Sequence, residues 1–244
     1  MDFHDYRTDC HSHSRLFRLS SELERQRHLQ RRIRIFRPLL LPHLRPDSPK
    51  GSAAMIDKNS MQRIFIALEI PQDLRKALIR YEKELPFWKW TSEDRMHMTM
   101  RFIGDTSPNA LDRLTDEFEQ GMSDLRKVRF TYTGYRFFPS ERKASTLAVT
   151  MQCSHAFEEL KSRVDDVVLA ALNLPKENRP FLPHITIMRM NKPPVKFDLL
   201  RIRKWADAMP KLPEPFAQKI AIFKSELKKS GAVYTPLAEC ELDF

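Results

Sequence analysis

The sequence predicts an α+β domain whose sheets are largely antiparallel or mixed. Short apolar runs rich in strand-forming residues are interspersed along the chain with segments whose apolar residues recur at helical spacing. Neighbouring strand runs are joined by short turn segments, which is typical of hairpins. The two halves also share a strand pattern and a helix of similar length after their first strand, which indicates a faint internal duplication.

The domain is predicted to open with a strand, a helix and a second strand. Residues 63–68 form a short apolar run of strand-forming residues that Pro71 ends. Apolar side chains at residues 74–85 recur at helical spacing until Pro86, which cannot continue a helix. Residues 96–103 then form the second strand.

The next elements are a second helix and a hairpin. Ser107 followed by Pro108 is typical of a helix start, because proline is favoured at the first helical position. Apolar residues at 111, 114 and 118 give this helix its buried stripe. Residues 128–138 and 147–151 are rich in strand formers and flank turn residues, so they predict a hairpin.

The last third of the chain continues the mixed pattern. Ser154 can cap a longer helix whose apolar stripe runs to Ala171. The elements predicted after it are a loop over 175–183, a strand over 184–188, a helix over 199–206, and strands over 219–227 and 233–242.

The first sixty residues differ from the rest and are predicted to be a basic extension. They carry a net charge of +5, as much as the following 184 residues. The alternatives are an arginine-rich targeting segment, a basic arm that touches RNA, and an unstructured extension from an early start codon. No single regular element could bury this mixture of arginine, leucine and proline. We therefore expect residues 1–60 to be disordered and dispensable for chemistry, and residues 61–244 to form the domain.

Composition excludes several classes of protein. No apolar run approaches the ~18 residues of a membrane span. The three cysteines, Cys10, Cys153 and Cys240, form no CxxC pair, which argues against a structural zinc site and favours a reducing, cytoplasmic location. With only five glycines the chain has no glycine-rich phosphate loop. We expect no metal and no cofactor.

The most informative feature is a repeated His-x-Thr pattern. Residues 61–244 hold three histidines, and two of them lie in His97-Met-Thr99-Met and His184-Ile-Thr186-Ile. Both segments lie in predicted strands, where side chains at i and i+2 share a face. Each strand therefore presents an imidazole beside a hydroxyl and turns its apolar residues to the core. If the two strands are neighbours, the two pairs converge on one groove.

This arrangement suits phosphodiester chemistry without a metal. Two imidazoles with ordinary pKa values of about 6.5 can serve as one base and one acid at neutral pH. Two threonine hydroxyls can donate hydrogen bonds to the oxygens of a phosphate held between them. A structural role for each polar pair is the alternative, because a lone His-x-Thr in a strand is usually a satisfied polar pair.

The two motifs and the residues around them resemble the two-histidine phosphoesterase superfamily, in particular its LigT-like branch of RNA 2',3'-cyclic phosphodiesterases. The resemblance covers essentially all of residues 61–244. The stretches that carry it are 63–71, 97–104, 175–189, 223–227 and 231–235, together with Trp90.

The resemblance implies two α+β lobes, related by a pseudo-twofold axis, around a central groove. It implies that a 2',3'-cyclic phosphate at an RNA end is opened to a 2'-phosphate. His97 would protonate the departing 3'-oxygen and His184 would activate the water. Thr99 and Thr186 would bind the phosphate. The sequence itself is silent on oligomeric state, so a monomer is the default expectation.

Two arginines are further candidates for binding the substrate. Arg189 matches a family arginine after the second motif, but strand alternation places it opposite His184 unless the strand ends or bulges there. Arg101 shares a face with His97 and Thr99 by alternation, which makes it a phosphate candidate or a solvated residue at the strand end. Four aromatic residues could stack on a base, although most such residues belong to the core: Phe65, Tyr132, Tyr135 and Phe137.

Two other functions remain open from the sequence. One is a sister activity of the same groove, either 2'-5' RNA ligation or hydrolysis of a small cyclic or 2'-5' linked nucleotide. The other is a module that binds RNA ends without turnover. Intact histidines and threonines in both motifs argue against the binding module.

Overall fold

A computed structural model describes residues 33–35, 61–86, 88–207, 212–229 and 231–243. Within these residues the fold is mixed α+β with two five-stranded sheets. The strands are β1 (Ile33–Ile35), β2 (Gln62–Glu69), β3 (Lys89–Trp90), β4 (His97–Thr106), β5 (Val128–Phe138), β6 (Thr146–Cys153), β7 (His184–Arg189), β8 (Phe216–Ala217), β9 (Lys219–Lys228) and β10 (Gly231–Glu241). The helices are α1 (Gln72–Ile79), α2 (Pro108–Gly121), α3 (Ala156–Leu172) and α4 (Lys196–Asp207).

The two sheets have strand orders β1-β10-β9-β2-β4 and β3-β7-β6-β5-β8. Neighbouring strands in both sheets run antiparallel, as the sequence predicts for this fold class. The sheets approach each other where β4 passes β7. Those two strands carry the His-x-Thr motifs, so the topology brings both motifs to the groove between the sheets.

The helices cover the outer faces of the sheets. α2 and α3 pack on each other and against β10 and β4 of the first sheet. Over the second sheet, Trp205 of α4 meets Tyr81 edge to face at 5.8 Å, and Arg203 forms a hydrogen bond with Tyr135 of β5. One continuous apolar core joins the helices to both sheets.

Of the two serines that the sequence predicts to cap helices, one does so in the structure and the other does not. Ser107 caps α2, because its hydroxyl accepts a hydrogen bond from the amide of Ala110 at 3.4 Å. The sequence also predicts Ser154 as the cap of α3. Its hydroxyl instead accepts from the amide of Arg129 at 3.2 Å, so it ties α3 to the edge of β5.

Three residues of the N-terminal extension form a strand. Ile33–Ile35 pairs with β10 in the register Ile33 to Cys240 and Ile35 to Ala238. The structure thus places a three-residue strand inside the segment that the sequence predicts to be a disordered extension, and that prediction stays a prediction for residues 1–60. The alternation Arg-Ile-Arg-Ile suits an edge strand, because β-branched residues favour extended backbone. The remainder of the predicted extension lies outside the described residues.

β-Bulges in the two motif strands decide which side chains reach the groove. In β4, Thr99 pairs with Ala67 and Arg101 with Ile66, so the register shifts by one residue between them. In β7, Thr186 pairs with Ala148 and Met188 with Leu147, which is the same shift at the equivalent position. Each bulge reverses the alternation of the residues that follow it.

No helix in the described ranges combines the length and the apolar character that crossing a membrane requires.

Candidate active site

The motif histidines and threonines lie on the groove face as the sequence predicts. His97 begins β4 and His184 begins β7. Both histidines and both threonines, Thr99 and Thr186, are partly exposed. The apolar residues between and after them, Met98, Met100, Ile185 and Ile187, are at most 1% exposed and face the core. Alternation in the two strands thus gives the groove its four polar side chains.

Each imidazole is held by a hydrogen bond of the same kind, from its Nδ1 atom to a backbone carbonyl two residues earlier. Nδ1 of His97 lies 2.8 Å from the carbonyl oxygen of Arg95, and Nδ1 of His184 lies 2.8 Å from that of Leu182. A carbonyl can only accept, so each Nδ1 donates a proton. This fixes the tautomer and leaves the Nε2 atom of each ring to exchange a proton with a bound group.

The two rings differ in their aromatic surroundings. The His97 ring lies 4.9 Å from Phe65 and 5.0 Å from Tyr234, and Tyr234 meets it edge to face. Phe65 in turn stacks on Phe223 at 5.3 Å. The His184 ring lies 4.7 Å from Phe138. These contacts orient the rings, and the larger aromatic cluster surrounds His97.

The surroundings of His97 lower its pKa to about 4, well below the ordinary 6.5. Burial contributes most, because it removes water from the charged form. The positive charge of Arg189, and that of His184 whenever it is protonated, act in the same direction, and the hydrogen bond to Arg95 opposes them. His97 is therefore neutral at pH 7 in the free protein.

We expect this pKa to make stability fall in mild acid. Above about pH 6.5, His97 is neutral in both the folded and the unfolded state. As the pH falls towards 4, the unfolded chain binds a proton that the folded protein does not, which lowers the free energy of unfolding by about 2 kcal/mol near pH 5. Urea unfolding at about pH 7.5 and about pH 5 measures this loss.

The His97→Gln variant should lose that part of the pH dependence. The matched control is His155→Gln, because His155 is the third histidine of the domain and its side chain is 95% exposed. It should keep the wild-type profile. Equal pH dependence in wild type and His97→Gln would contradict the lowered pKa.

The bulge in β7 places Arg189 on the groove face. Alternation alone puts it opposite His184, and the sequence allows it into the groove only if the strand bulges or ends. After the bulge at Ile187, Met188 is fully buried, and Arg189 pairs with Thr146 as an exposed residue at the end of the strand. The influence of Arg189 on His97 agrees with this position.

The bulge in β4 removes Arg101 from the groove, which corrects the prediction that it faces the phosphate. Its Nη1 lies 3.4 Å from a carboxylate oxygen of Asp165 on α3, and its Nη2 donates a hydrogen bond to the carbonyl of Pro175. Arg101 is 6% exposed. It therefore joins the first sheet to the helix above it and serves the fold.

Phe102 takes the groove position that alternation assigns to Arg101. It pairs with Phe65, its side chain is 50% exposed, and the guanidinium of Arg63 lies 5.3 Å from its ring centre. Because the two bulges lie at equivalent positions, Phe102 occupies the position in β4 that Arg189 occupies in β7. The sequence does not indicate Phe102, Tyr234 or Phe138 as residues of the site, because their positions depend on register and on contacts between strands.

The part of the chain that the structure describes contains no group of three or more His, Cys, Asp and Glu side chains placed to hold a metal ion.

Comparison with known proteins agrees with this geometry. The profile of the 2'-5' RNA ligase superfamily matches residues 70–216, which include both His-x-Thr strands. The chain belongs to the 2'-5' RNA ligase superfamily. The sequence resemblance to LigT-like proteins is confirmed in that respect.

Curated relatives in this superfamily span most of the domain. A protein of Thermus thermophilus named RNA 2',3'-cyclic phosphodiesterase is 28% identical over 197 residues, which cover 74% of this chain and 90% of the relative. A protein of Aquifex aeolicus with the same name is 26% identical over 186 residues, covering 72% and 95%.

Solved structures of the superfamily share the fold. LigT of E. coli complexed with 3'-AMP matches with a TM-score of 0.58 and 19% identity, covering 75% of this chain and 98% of LigT. A Thermus thermophilus structure matches with a TM-score of 0.57 and 24% identity, covering 74% and 97%. These likenesses confirm the predicted two-sheet α+β architecture.

Proposed function

We propose that this protein is an RNA 2',3'-cyclic phosphodiesterase that opens the cyclic phosphate to a 2'-phosphate by metal-independent catalysis with two histidines. Curated relatives of 26–28% identity that carry this enzyme name support the general activity. The observation that carries the mechanism is the pair of imidazoles on facing strands, each with Nδ1 tied to a backbone carbonyl.

Each side chain of the groove has one role in the proposed reaction. Nε2 of His184 accepts a proton from water as the water oxygen attacks phosphorus. Nε2 of His97 donates a proton to the 3'-oxygen as its bond to phosphorus breaks. Thr99 and Thr186 donate hydrogen bonds to the two non-bridging oxygens, where negative charge is concentrated. One water is consumed, and the 2'-phosphate remains on the RNA.

His97 must gain a proton before it can act as the acid. In the free protein the lowered pKa keeps it neutral at pH 7. A bound phosphodiester brings a negative charge beside the ring and offsets the repulsion from Arg189, which raises the pKa of His97. Substrate binding thus recruits the proton that the departing oxygen receives.

Arg189 is proposed to bind the phosphate or the next nucleotide from the end of β7. Arg189→Ala should lower kcat/KM on a cyclic-phosphate oligomer by about 10- to 100-fold, because a hydrogen bond to a charged group is lost. Arg189→Lys should recover part of this loss. Steady-state kinetics with Arg142→Ala as the matched control tests it, since Arg142 is exposed on the turn before β6. Unchanged kinetics in Arg189→Ala would contradict the role.

The substrate class fits the charge of the protein. A net charge of +10 favours a polyanion, and Phe102 offers an exposed ring on which a base can stack. One chain supplies both motifs, which supports the proposal that the monomer is active. The cytoplasmic location predicted from the cysteine content of the sequence is part of this proposal.

A substrate panel tests the proposed function. The intact protein is incubated with an RNA oligomer ending in a 2',3'-cyclic phosphate, the same oligomer ending in a 3'-phosphate, and a 2',3'-cyclic mononucleotide. Conversion of the first alone or of both cyclic substrates supports the proposal. A parallel reaction with a 5'-hydroxyl RNA detects 2'-5' ligation, the sister activity of the groove. Failure to convert any cyclic phosphate would overturn the proposal and favour a binding module.

A further inference from the structure

A cavity of about 200 Å³ opens beside His97, and neither Thr99 nor Thr186 is among its lining residues. We call it the His97 pocket. It is lined by His97, by the aromatic residues Phe65, Phe223 and Tyr234, and by the charged residues Glu69, Arg75 and Asp94. These residues belong to the first sheet, to α1 and to the turn before β4. A group bound there would touch the imidazole of His97 from the side of the first sheet.

The aromatic side of the pocket consists of three side chains that restrict one another's movement. Phe65 is 3% exposed, stacks on Phe223 at 5.3 Å and meets Tyr234 edge to face at 5.1 Å. Each of the three rings is fixed by contact with another ring. A flat aromatic ligand can pack on such a wall with little loss of side-chain entropy.

The polar side of the pocket carries groups with unused hydrogen-bonding capacity. Arg75 donates from Nη1 to the carbonyl of Glu93 at 3.4 Å, while its Nε is buried without a partner. Among the described residues, no ion pair within 4.0 Å joins Arg75 to Glu69 or to Asp94. The pocket thus presents a strong donor and two strong acceptors to a ligand.

The carboxylates and aromatic rings that line the pocket disfavour an anionic ligand and favour a nucleobase. Two carboxylates, Glu69 and Asp94, repel a phosphate, so a second anion site is disfavoured. Burial and the negative charge of Glu239 raise the pKa of Glu69, so a neutral ligand that donates hydrogen bonds is better tolerated than an anion. A nucleobase supplies such donors together with a flat ring.

We propose that the His97 pocket binds a guanine base. Guanine offers two adjacent donors, N1–H and the N2 amino group, to the carboxylate of Glu69, and two adjacent acceptors, O6 and N7, to the guanidinium of Arg75. The other three bases lack one of these two pairs. Asp94 lies exposed on the rim and accepts from any donor that remains.

The connection to catalysis rests on the proposed function. A guanine in this pocket belongs to the nucleotide that carries the cyclic phosphate or to its neighbour, because His97 lines both the pocket and the catalytic groove. The enzyme should then prefer RNA ends with guanine at one of these two positions.

The first test is calorimetric titration with the four neutral nucleosides, which contain no phosphate. Guanosine should bind about 10- to 100-fold more tightly than adenosine, cytidine and uridine, as expected for bidentate recognition of a base. Glu69→Gln should remove this preference, and Asp94→Asn, at an exposed site, should weaken it. Glu226→Gln is the matched control, because Glu226 pairs with Lys224 outside the pocket. Equal binding of all four nucleosides, or a guanosine preference that survives Glu69→Gln, would overturn the proposal.

The second test separates this proposal from the proposed function. Dinucleotides ending in a 2',3'-cyclic phosphate, with guanine at the first, the second or neither position, are compared by kcat/KM. A preference for guanine at one position that Glu69→Gln abolishes supports the pocket, and identical rates for all sequences contradict it. If no dinucleotide is converted while guanosine still binds selectively, the phosphodiesterase proposal fails and the pocket stands.

Discussion

Replacing either His97 or His184 by alanine is expected to lower kcat on a cyclic-phosphate oligomer by about 10²- to 10⁴-fold, the usual contribution of general acid or base catalysis. In the proposed mechanism, each variant removes one of the two proton-transferring atoms and leaves the phosphate contacts of both threonines in place. KM should therefore change less than kcat. Steady-state kinetics at neutral pH, with folding checked by circular dichroism, measures both effects.

The double variant and a third histidine make this prediction sharper. The two histidines act on one transition state, so the double variant should lose little more than the worse single variant. His155→Ala is the matched control, because His155 is exposed at the start of α3 and contacts Glu158 at 3.2 Å. It should retain wild-type activity. Retained turnover in either catalytic variant would show that the corresponding imidazole transfers no proton in the rate-limiting step.

Replacing Arg101 by methionine is expected to destabilise the fold without changing the chemistry. Arg101 and Asp165 have side chains 7% and 10% exposed, and removal of the arginine leaves a buried carboxylate with Lys161 as its remaining partner in the described ranges. Breaking a buried ion pair costs about 3 kcal/mol, which corresponds to a fall in Tm of about 6–12 °C. Thermal unfolding measures the shift, and kcat/KM per folded molecule should stay within about twofold.

The matched control for this prediction is Arg142→Met, at an exposed arginine on the turn before β6. It should leave Tm nearly unchanged. A variant of Arg101 that keeps its Tm but raises KM would contradict the structure, because that outcome requires the guanidinium to contact the substrate.

Strand alternation correctly predicted which face the two His-x-Thr pairs occupy, but it gave the wrong face for the residues that follow each bulge. The positions of His97, Thr99, His184 and Thr186 follow from a period of two, which both strands keep up to the bulge. After each bulge the faces exchange, so Arg101 enters the core and Arg189 enters the groove. A single residue of register reverses every later side chain.

A local signal for one of the bulges is present in the sequence. Ile187 and Met188 are consecutive apolar residues, and both are fully buried in β7. In β4 the equivalent pair is Met100 and Arg101. Because arginine is charged, the sequence does not show this pair as two consecutive buried residues. The partner of that charge, Asp165, lies 64 residues later on α3. Sequence spacing cannot show a contact of this kind.

The long helices and strands were predicted from the sequence, whereas the shortest strands were not. The long strands and the four helices of the described residues follow from apolar periodicity and from proline positions. β3, β8 and β1 have two or three residues each, too few to show a period, and they form because a longer neighbour offers its edge. The extension was predicted from composition, which did not show that Ile33–Ile35 could pair with β10.

The pocket beside His97 could not be predicted either. Glu69 and Arg75 lie near each other in sequence, but Phe223 and Tyr234 come from strands about 150 residues later. Each residue alone is consistent with core or surface. Only the sheet order, which places β9 beside β2, brings them to one wall.

The central claim is that two imidazoles open a cyclic phosphate without a metal. The most direct measurement follows an RNA oligomer ending in a 2',3'-cyclic phosphate in excess EDTA and identifies the product by phosphorus NMR. We expect undiminished turnover and a phosphate on the 2'-oxygen, because in the proposed mechanism His97 protonates the 3'-oxygen as it leaves. Loss of turnover in EDTA that added divalent metal restores, or a phosphate on the 3'-oxygen, would contradict it.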